Sequence, residues 1–220
     1  MTSRILVINP NSSQGVTDAM DRAVEPLRRE GGPTIDCATL AEGPRGIETA
    51  RHIAEVVPPL CALIAREDNR SAAFIIACFS DPGLHAARET TRHPVIGIGE
   101  AGLTTALNLG ERVGIIAIRP ASVARQVRMA RTLGIAERLT GSIALDMGVV
   151  ELADAERTRV RMIEVGTRLR YEKGADVIVM GCAGMADYRA EVQAALGVPV
   201  VDPTQAAVGL AITAVAVGYR

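Results

Sequence analysis

Cys78 and Cys182 stand at matching places in the chain. Each closes a short apolar run, Phe74-Ile-Ile-Ala77 in one case and Val177-Ile-Val-Met-Gly181 in the other, and each precedes an entry to a helix built from small residues or proline. A thiol facing a helix N-terminus meets free N–H groups and partial positive charge, both of which favour thiolate. With an ordinary pKa of about 8.5, a cysteine needs only modest tuning to serve as base while a second serves as acid. Two such thiols on opposite walls of one cleft suit removal of a proton from one face of a carbon and delivery of another to the opposite face, which is racemisation or epimerisation. Protons alone balance that reaction, so no metal, flavin or pyridoxal is required and no cofactor is expected. The N–H groups after each cysteine, at Phe79, Ser80, Ala183 and Gly184, stand where a carbonyl beside the reacting carbon needs donors. A single cysteine at a strand end is more often a small buried hydrophobe. Two at equivalent positions are harder to explain that way.

The equivalence rests on an internal repeat. Ala73-Phe-Ile-Ile-Ala-Cys78 leads through a helical stretch to His93-Pro-Val-Ile96, and Asp176-Val-Ile-Val-Met-Gly-Cys182 leads in the same way to Val198-Pro-Val-Val201. The cysteines are 104 residues apart and the Pro-Val pairs 105. Upstream, Arg4-Ile-Leu-Val-Ile8 with Pro10 and Ser12 matches Arg112-Val-Gly-Ile-Ile116 with Pro120 and Ser122. The repeat predicts two similar four-stranded halves about a pseudo-twofold axis, which brings both thiols to one cleft.

The elements that must position the thiols are strands alternating with helical segments. Apolar β-branched runs predict strands at Arg4–Ile8, Thr34–Thr39, Ala72–Ala77, Pro94–Ile98, Val113–Ile118, Ser142–Asp146, Ala175–Gly181 and Val198–Val201. Several are apolar on both faces, as in a parallel sheet covered by helices, so the fold class is α/β. Ligands of such sheets bind beyond the carboxyl ends of the strands, where both cysteines lie. Asp81 and Pro82 read as the cap and first residue of the helix after Cys78.

A second candidate site is Asn9-Pro-Asn-Ser-Ser13, after the first strand. Pro10 and Asn11 suit a tight turn and Ser12 or Ser13 a helix cap. The amide of Asn11 and the hydroxyl of Ser12 equally suit orientation of a polar substrate. No Arg or Lys lies within the motifs around Asn11, Cys78 or Cys182 except Arg119 on the opposite loop, which points to a neutral ligand. His52, His85 and His93 fit no catalytic spacing and read as surface or capping residues. Gly97-Ile-Gly99-Glu-Ala-Gly102 imitates part of a dinucleotide fingerprint without completing it.

Composition narrows the partners. Among 220 residues, 24 Lys+Arg against 25 Asp+Glu, with two Phe, three Tyr and no Trp, leave neither a phosphate-tracking surface nor stacking platforms for nucleic acid. Mean hydropathy is high, at +0.21. Yet the longest uncharged apolar run, Ala206 to Val217, has 12 residues, short of the roughly 18 of a membrane span, and it reads as a buried helix. The N-terminus carries no export pattern, so a cytoplasmic location is expected. Cys37, Cys61, Cys78 and Cys182 fit no zinc-ligand spacing and are expected to be free thiols.

At Asn9-Pro-Asn-Ser12, Ala77-Cys-Phe-Ser-Asp-Pro-Gly-Leu84, Ala87-Arg-Glu89, Pro94-Val-Ile-Gly97 and Gly181-Cys-Ala-Gly-Met185 the chain resembles the aspartate/glutamate/hydantoin racemase superfamily, above all its hydantoin and allantoin branch. The resemblance implies Cys78 and Cys182 as the acid/base pair of a cofactor-independent racemase. It implies two flavodoxin-like lobes, residues 1–98 with 206–220 and residues 99–205, with the site between them and the C-terminal helix returning to the first lobe. It also implies a homo-oligomer acting on a small molecule. Phe79-Ser80 replaces the Asn-Thr that follows the first cysteine in the amino-acid racemases, which favours a cyclic ureide or similar amide over free aspartate or glutamate. Ala117-Ile118 replaces threonines usual in the hydantoin branch. The superfamily's maleate isomerases and arylmalonate decarboxylases, and a silent small-molecule-binding relative, are the alternative readings.

Overall fold

A computed structural model describes residues 3–219. The eight strands are β1 (Arg4–Asn9), β2 (Thr34–Thr39), β3 (Ala73–Ile76), β4 (Val95–Gly97), β5 (Val113–Ala117), β6 (Leu139–Ala144), β7 (Val177–Met180) and β8 (Val200–Val201). They form two four-stranded sheets, ordered β2-β1-β3-β4 and β6-β5-β7-β8, parallel throughout. The helices are α1 (Gln14–Val24), α2 (Ala50–Glu55), α3 (Val57–Glu67), α4 (Leu84–Thr90), α5 (Ile98–Ala106), α6 (Pro120–Thr132), α7 (Ala155–Tyr171), α8 (Arg189–Leu196) and α9 (Pro203–Val217). The central strands β3, β5 and β7 are buried along their whole length, which is why their sequences are unbroken apolar runs. Among the described residues, no helix is long and apolar enough to cross a membrane.

The two sheets end alike. Ala77 N–H donates to Ile8 O and Gly181 N–H to Ile116 O, each at 2.8 Å. Each is the last bond of a central ladder, and the next residue is Cys78 or Cys182.

The helices between the sheets are exchanged. α5, which follows β4 of the first sheet, packs on β7 and β8 of the second as well as on α9. α9 follows β8 and packs on β1, β3 and β4. One buried cluster accordingly runs through both halves, from Ile5, Val7 and Ile75 by way of Ile98 and Ala101 to Ile116, Ile118 and Met147. α9 is buried along Thr204, Ala207, Val208, Ala211 and Ala214 but exposes Leu210 and Val217, so the expected buried helix has one solvent face.

Three local expectations shift. β6 starts at Leu139, three residues before the expected Ser142, and its extra first pair, Val113 with Leu139, is followed by a register irregularity between Val113 and Gly114. Leu145 and Met147 then leave the sheet for the shared core, Leu145 N–H reaching Ala117 O and Met147 N–H reaching Ile118 O. Asp81 does not cap the helix after Cys78, whose N-cap is Gly83. Its carboxylate reaches across instead to the start of α5 and accepts from the N–H groups of Gly99 and Glu100, both at 2.8 Å. The glycines of Gly97-Ile-Gly99 make room for it. A Cβ on Gly97 would lie 2.3 Å from Asp81 Cγ, and one on Gly99 2.3 Å from Phe79 O. The apparent fragment of a dinucleotide fingerprint is thus a seat for an internal anion at a helix N-terminus.

Burial pushes the Asp81 carboxyl up to about 7, against the two N–H donors that favour its charge. A carboxyl raised on folding adds stability that is complete below its ordinary pKa of 3.8 and is lost as pH rises through about 7. Asp81→Asn keeps one acceptor and cannot ionise. Urea unfolding is expected to show a smaller loss of stability between pH 4 and 7 for this variant than for the wild type; equal losses would mean that Asp81 does not titrate in that window.

Candidate active site

Cys78 and Cys182 line one cavity, together with Asn11, Phe79, Ser80 and Ala183. The cavity is narrow, with about 30 Å³ of free space in this structure, room for about one water. Both thiols are half-buried and free. Burial is the largest influence on each, pushing Cys78 up to about 12 and Cys182 up to about 11. The Ser80 N–H opposes the shift at Cys78 and the Gly184 N–H opposes it at Cys182. The N–H groups expected to meet a substrate carbonyl are thus engaged, at Ser80 and Gly184, in favouring the thiolates. Gly184 lies outside the cavity lining, whereas Ser80 is part of it.

The charges around the two thiols differ. Cys78 feels the Arg125 guanidinium, which favours its thiolate, and Cys182 and Asp81, which oppose it. Cys182 feels Glu48 and Asp202, both opposing. Asp202 caps α9 by accepting from Gln205 N–H at 2.8 Å, and burial pushes its carboxyl up to about 6.

The Asn9-Pro-Asn-Ser-Ser13 loop forms the expected turn and brings Asn11 to the cavity, but neither serine caps α1 with its side chain. Asn9 is fully buried and ties the loop together, its Nδ2 donating to Asn11 Oδ1, Ser13 O and Thr17 Oγ1. Asn11 Oδ1 also accepts from Ser13 N–H at 2.9 Å. That bond fixes which end of the amide is oxygen and leaves Nδ2, a donor, for the cavity that Asn11 lines. Ser12 stays outside the lining, its N–H donating to Pro44 O. Ser13 stands at the N-cap of α1 without a side-chain bond.

The second lobe contributes residues that the motifs did not reveal. Ser122, Arg125 and Gln126, on one face of α6, border the cavity with Ile118. Arg119, the cation the sequence offered, lies outside the lining and pairs with Glu151 at 2.9 Å and Glu48 at 3.4 Å. The cation at the site is Arg125. Its position three residues after Ser122, the counterpart of Ser12, was the available signal, since residues i and i+3 share a helix face. At Ala117-Ile118 only Ile118 borders the cavity; Ala117 is enclosed in β5.

The model of the family described as Asp/Glu/Hydantoin racemase matches residues 5–211. The chain belongs to this family. The hydantoin racemase of Rhizobium meliloti is 35% identical, covering 98% of this chain and 90% of its own, and that of Paenarthrobacter aurescens 33%, covering 99% and 93%. Among solved structures, the allantoin racemase from Klebsiella pneumoniae superposes with a TM-score of 0.89 at 30% identity, covering 99% of this chain and 89% of its own. Arylmalonate decarboxylase, at 19% identity and a TM-score of 0.70, shares the fold. Membership places the chain among the racemases of the isomerase class, with two parallel four-stranded sheets as their common frame.

Within this racemase the raised thiols set a pH dependence. A thiolate held above its ordinary pKa is scarce at neutrality and gains about tenfold per pH unit until that pKa is reached. Alkylation of Cys78 and Cys182 by iodoacetamide, followed by peptide mass spectrometry, is expected to accelerate continuously from pH 7 to pH 10. A plateau below pH 8 at either residue would show that its N–H donors outweigh burial.

Proposed function

We propose that this racemase interconverts the enantiomers of a hydantoin, allantoin or a related cyclic ureide by proton transfer between Cys78 and Cys182. The observation that carries the reading is that the two repeat-related thiols, each backed by a main-chain N–H, line one small cavity. One cysteine, as thiolate, takes the proton from the carbon beside the ring carbonyl. The other, as thiol, gives a proton to the opposite face, and the roles exchange for the other enantiomer. No electrons leave and no bond to carbon other than C–H is broken. Charge that develops on the ring is met by the Asn11 amide, and the apolar walls at Phe79, Ile118 and Val149 keep water from competing for the carbanion. The hydantoin and allantoin racemases among the relatives support the choice of ring.

Enantiopure 5-substituted hydantoins and allantoin in deuterated water test this. The wild type is expected to incorporate deuterium with loss of optical rotation. Release of carbon dioxide from an arylmalonate, or binding without exchange, would replace the reading with a decarboxylase or a silent binder. Cys78→Ser and Cys182→Ser are each expected to lower racemisation by about 10²- to 10⁴-fold while sparing deuterium exchange for one enantiomer, a different one in each variant. Near wild-type racemisation by both would remove the thiols from the mechanism.

A further inference from the structure

Arg125 is a cation held by neutral atoms. Its Nη2 donates to Glu48 O at 2.9 Å and to Ser122 Oγ at 3.1 Å. Its Nε is buried and meets no acceptor, and Nη1 makes no hydrogen bond among the described residues. Glu48, the carboxylate nearest at hand, is turned elsewhere, Oε1 accepting from Val149 N–H at 2.8 Å and Oε2 facing Arg119 at 3.4 Å. No carboxylate among the described residues lies within ion-pairing distance of Arg125, whereas Arg119 has two. A desolvated guanidinium without a counter-charge is costly, and its burial lowers its pKa. The Cys78 thiolate offsets that charge only in one half of the reaction cycle. Arg125 borders the same cavity as the thiols.

We propose that Arg125 selects substrates whose reacting carbon carries an anionic side arm, so that the preferred ring is a hydantoin with a carboxylate-bearing 5-substituent. The proposal rests on the two-thiol racemase reading and deepens it. The planar guanidinium keeps donors beyond the Nη2 bonds already made, and a carboxylate accepts paired N–H bonds. The anion supplies the counter-charge that the protein withholds, and does so whichever cysteine is ionised. This departs from the expectation of a wholly neutral ligand. The ring remains an uncharged ureide, and the charge sits on its substituent.

The test compares 5-(carboxymethyl)- and 5-(2-carboxyethyl)hydantoin with their carbamoyl isosteres, which match them in shape and lack the charge. The wild type is expected to prefer the acids in kcat/KM. Arg125→Gln is expected to cut kcat/KM for the acids by about 10- to 100-fold more than for the amides, and Arg125→Lys to recover part of the preference. Circular dichroism and urea unfolding establish that the variants are folded. An unchanged acid-to-amide ratio in Arg125→Gln, whether both rates fall together or neither moves, overturns the proposal. Calorimetric binding of the four hydantoins to wild type and Arg125→Gln separates this outcome from failure of the racemase reading. Loss of acid-selective binding in Arg125→Gln supports the role of Arg125 even if no ring is racemised, and equal binding of acids and amides by the wild type ends it.

Discussion

A thiolate at Cys78 or Cys182 has to form in a place that largely excludes water, and most of the surrounding structure answers that constraint. Desolvation is the largest influence on both thiols and works against the thiolate in each. The remedy at hand is the main chain. Because each cysteine follows the last ladder bond of a central strand, the next turn of backbone offers an N–H to sulfur without any polar side chain having to be buried for the purpose. The two thiols share this arrangement, and their charged neighbours do not. Arg125 supports Cys78, while Glu48 and Asp202 oppose ionisation of Cys182. A pseudo-symmetric frame therefore carries an asymmetric field.

The same asymmetry shows in how the two exchanged helices begin. α9 has its own acidic cap, Asp202. α5 starts at Gly97, which has no side chain to offer, and Asp81 from the loop after Cys78 supplies both acceptors. That loop is therefore pinned at one end by β3 and at the other by a helix that leans on the opposite sheet. The geometry of Cys78 is tied to the packing of both lobes. Glu48 adds a further tie, since its main-chain oxygen holds Arg125 and its side chain holds Val149 and Arg119.

The sequence made legible whatever depends on strand ends. The two cysteines, the two four-stranded halves implied by the repeat and the Asn11 loop all follow from apolar runs and turn residues, which are local. Arg125 was not legible in the same way. A lone arginine on an amphipathic helix reads as solvent-facing, and only the seat of α6 against β6, where Gln126 accepts from Ser142 Oγ at 2.5 Å, turns that face to the cavity. Asp81 was misplaced because a cap is sought in the residues just before a helix, and its helix lies 17 residues further on, beyond β4. The strand expected at Ser142–Asp146 ran too far because Leu145 is apolar for another reason, the core shared by the lobes.

That shared core also bears on how the chain is made. β1, β3 and β4 are complete as sequence by residue 97, but the helix that covers them, α9, is the last element of the chain. Until residues 203–217 leave the ribosome, the inner face of the first sheet is covered only in part, by α1, and α5 lacks its contact with α9. Neither half closes alone. Assembly has to wait for contacts of very high sequence separation, which slows folding and leaves apolar strands uncovered during synthesis.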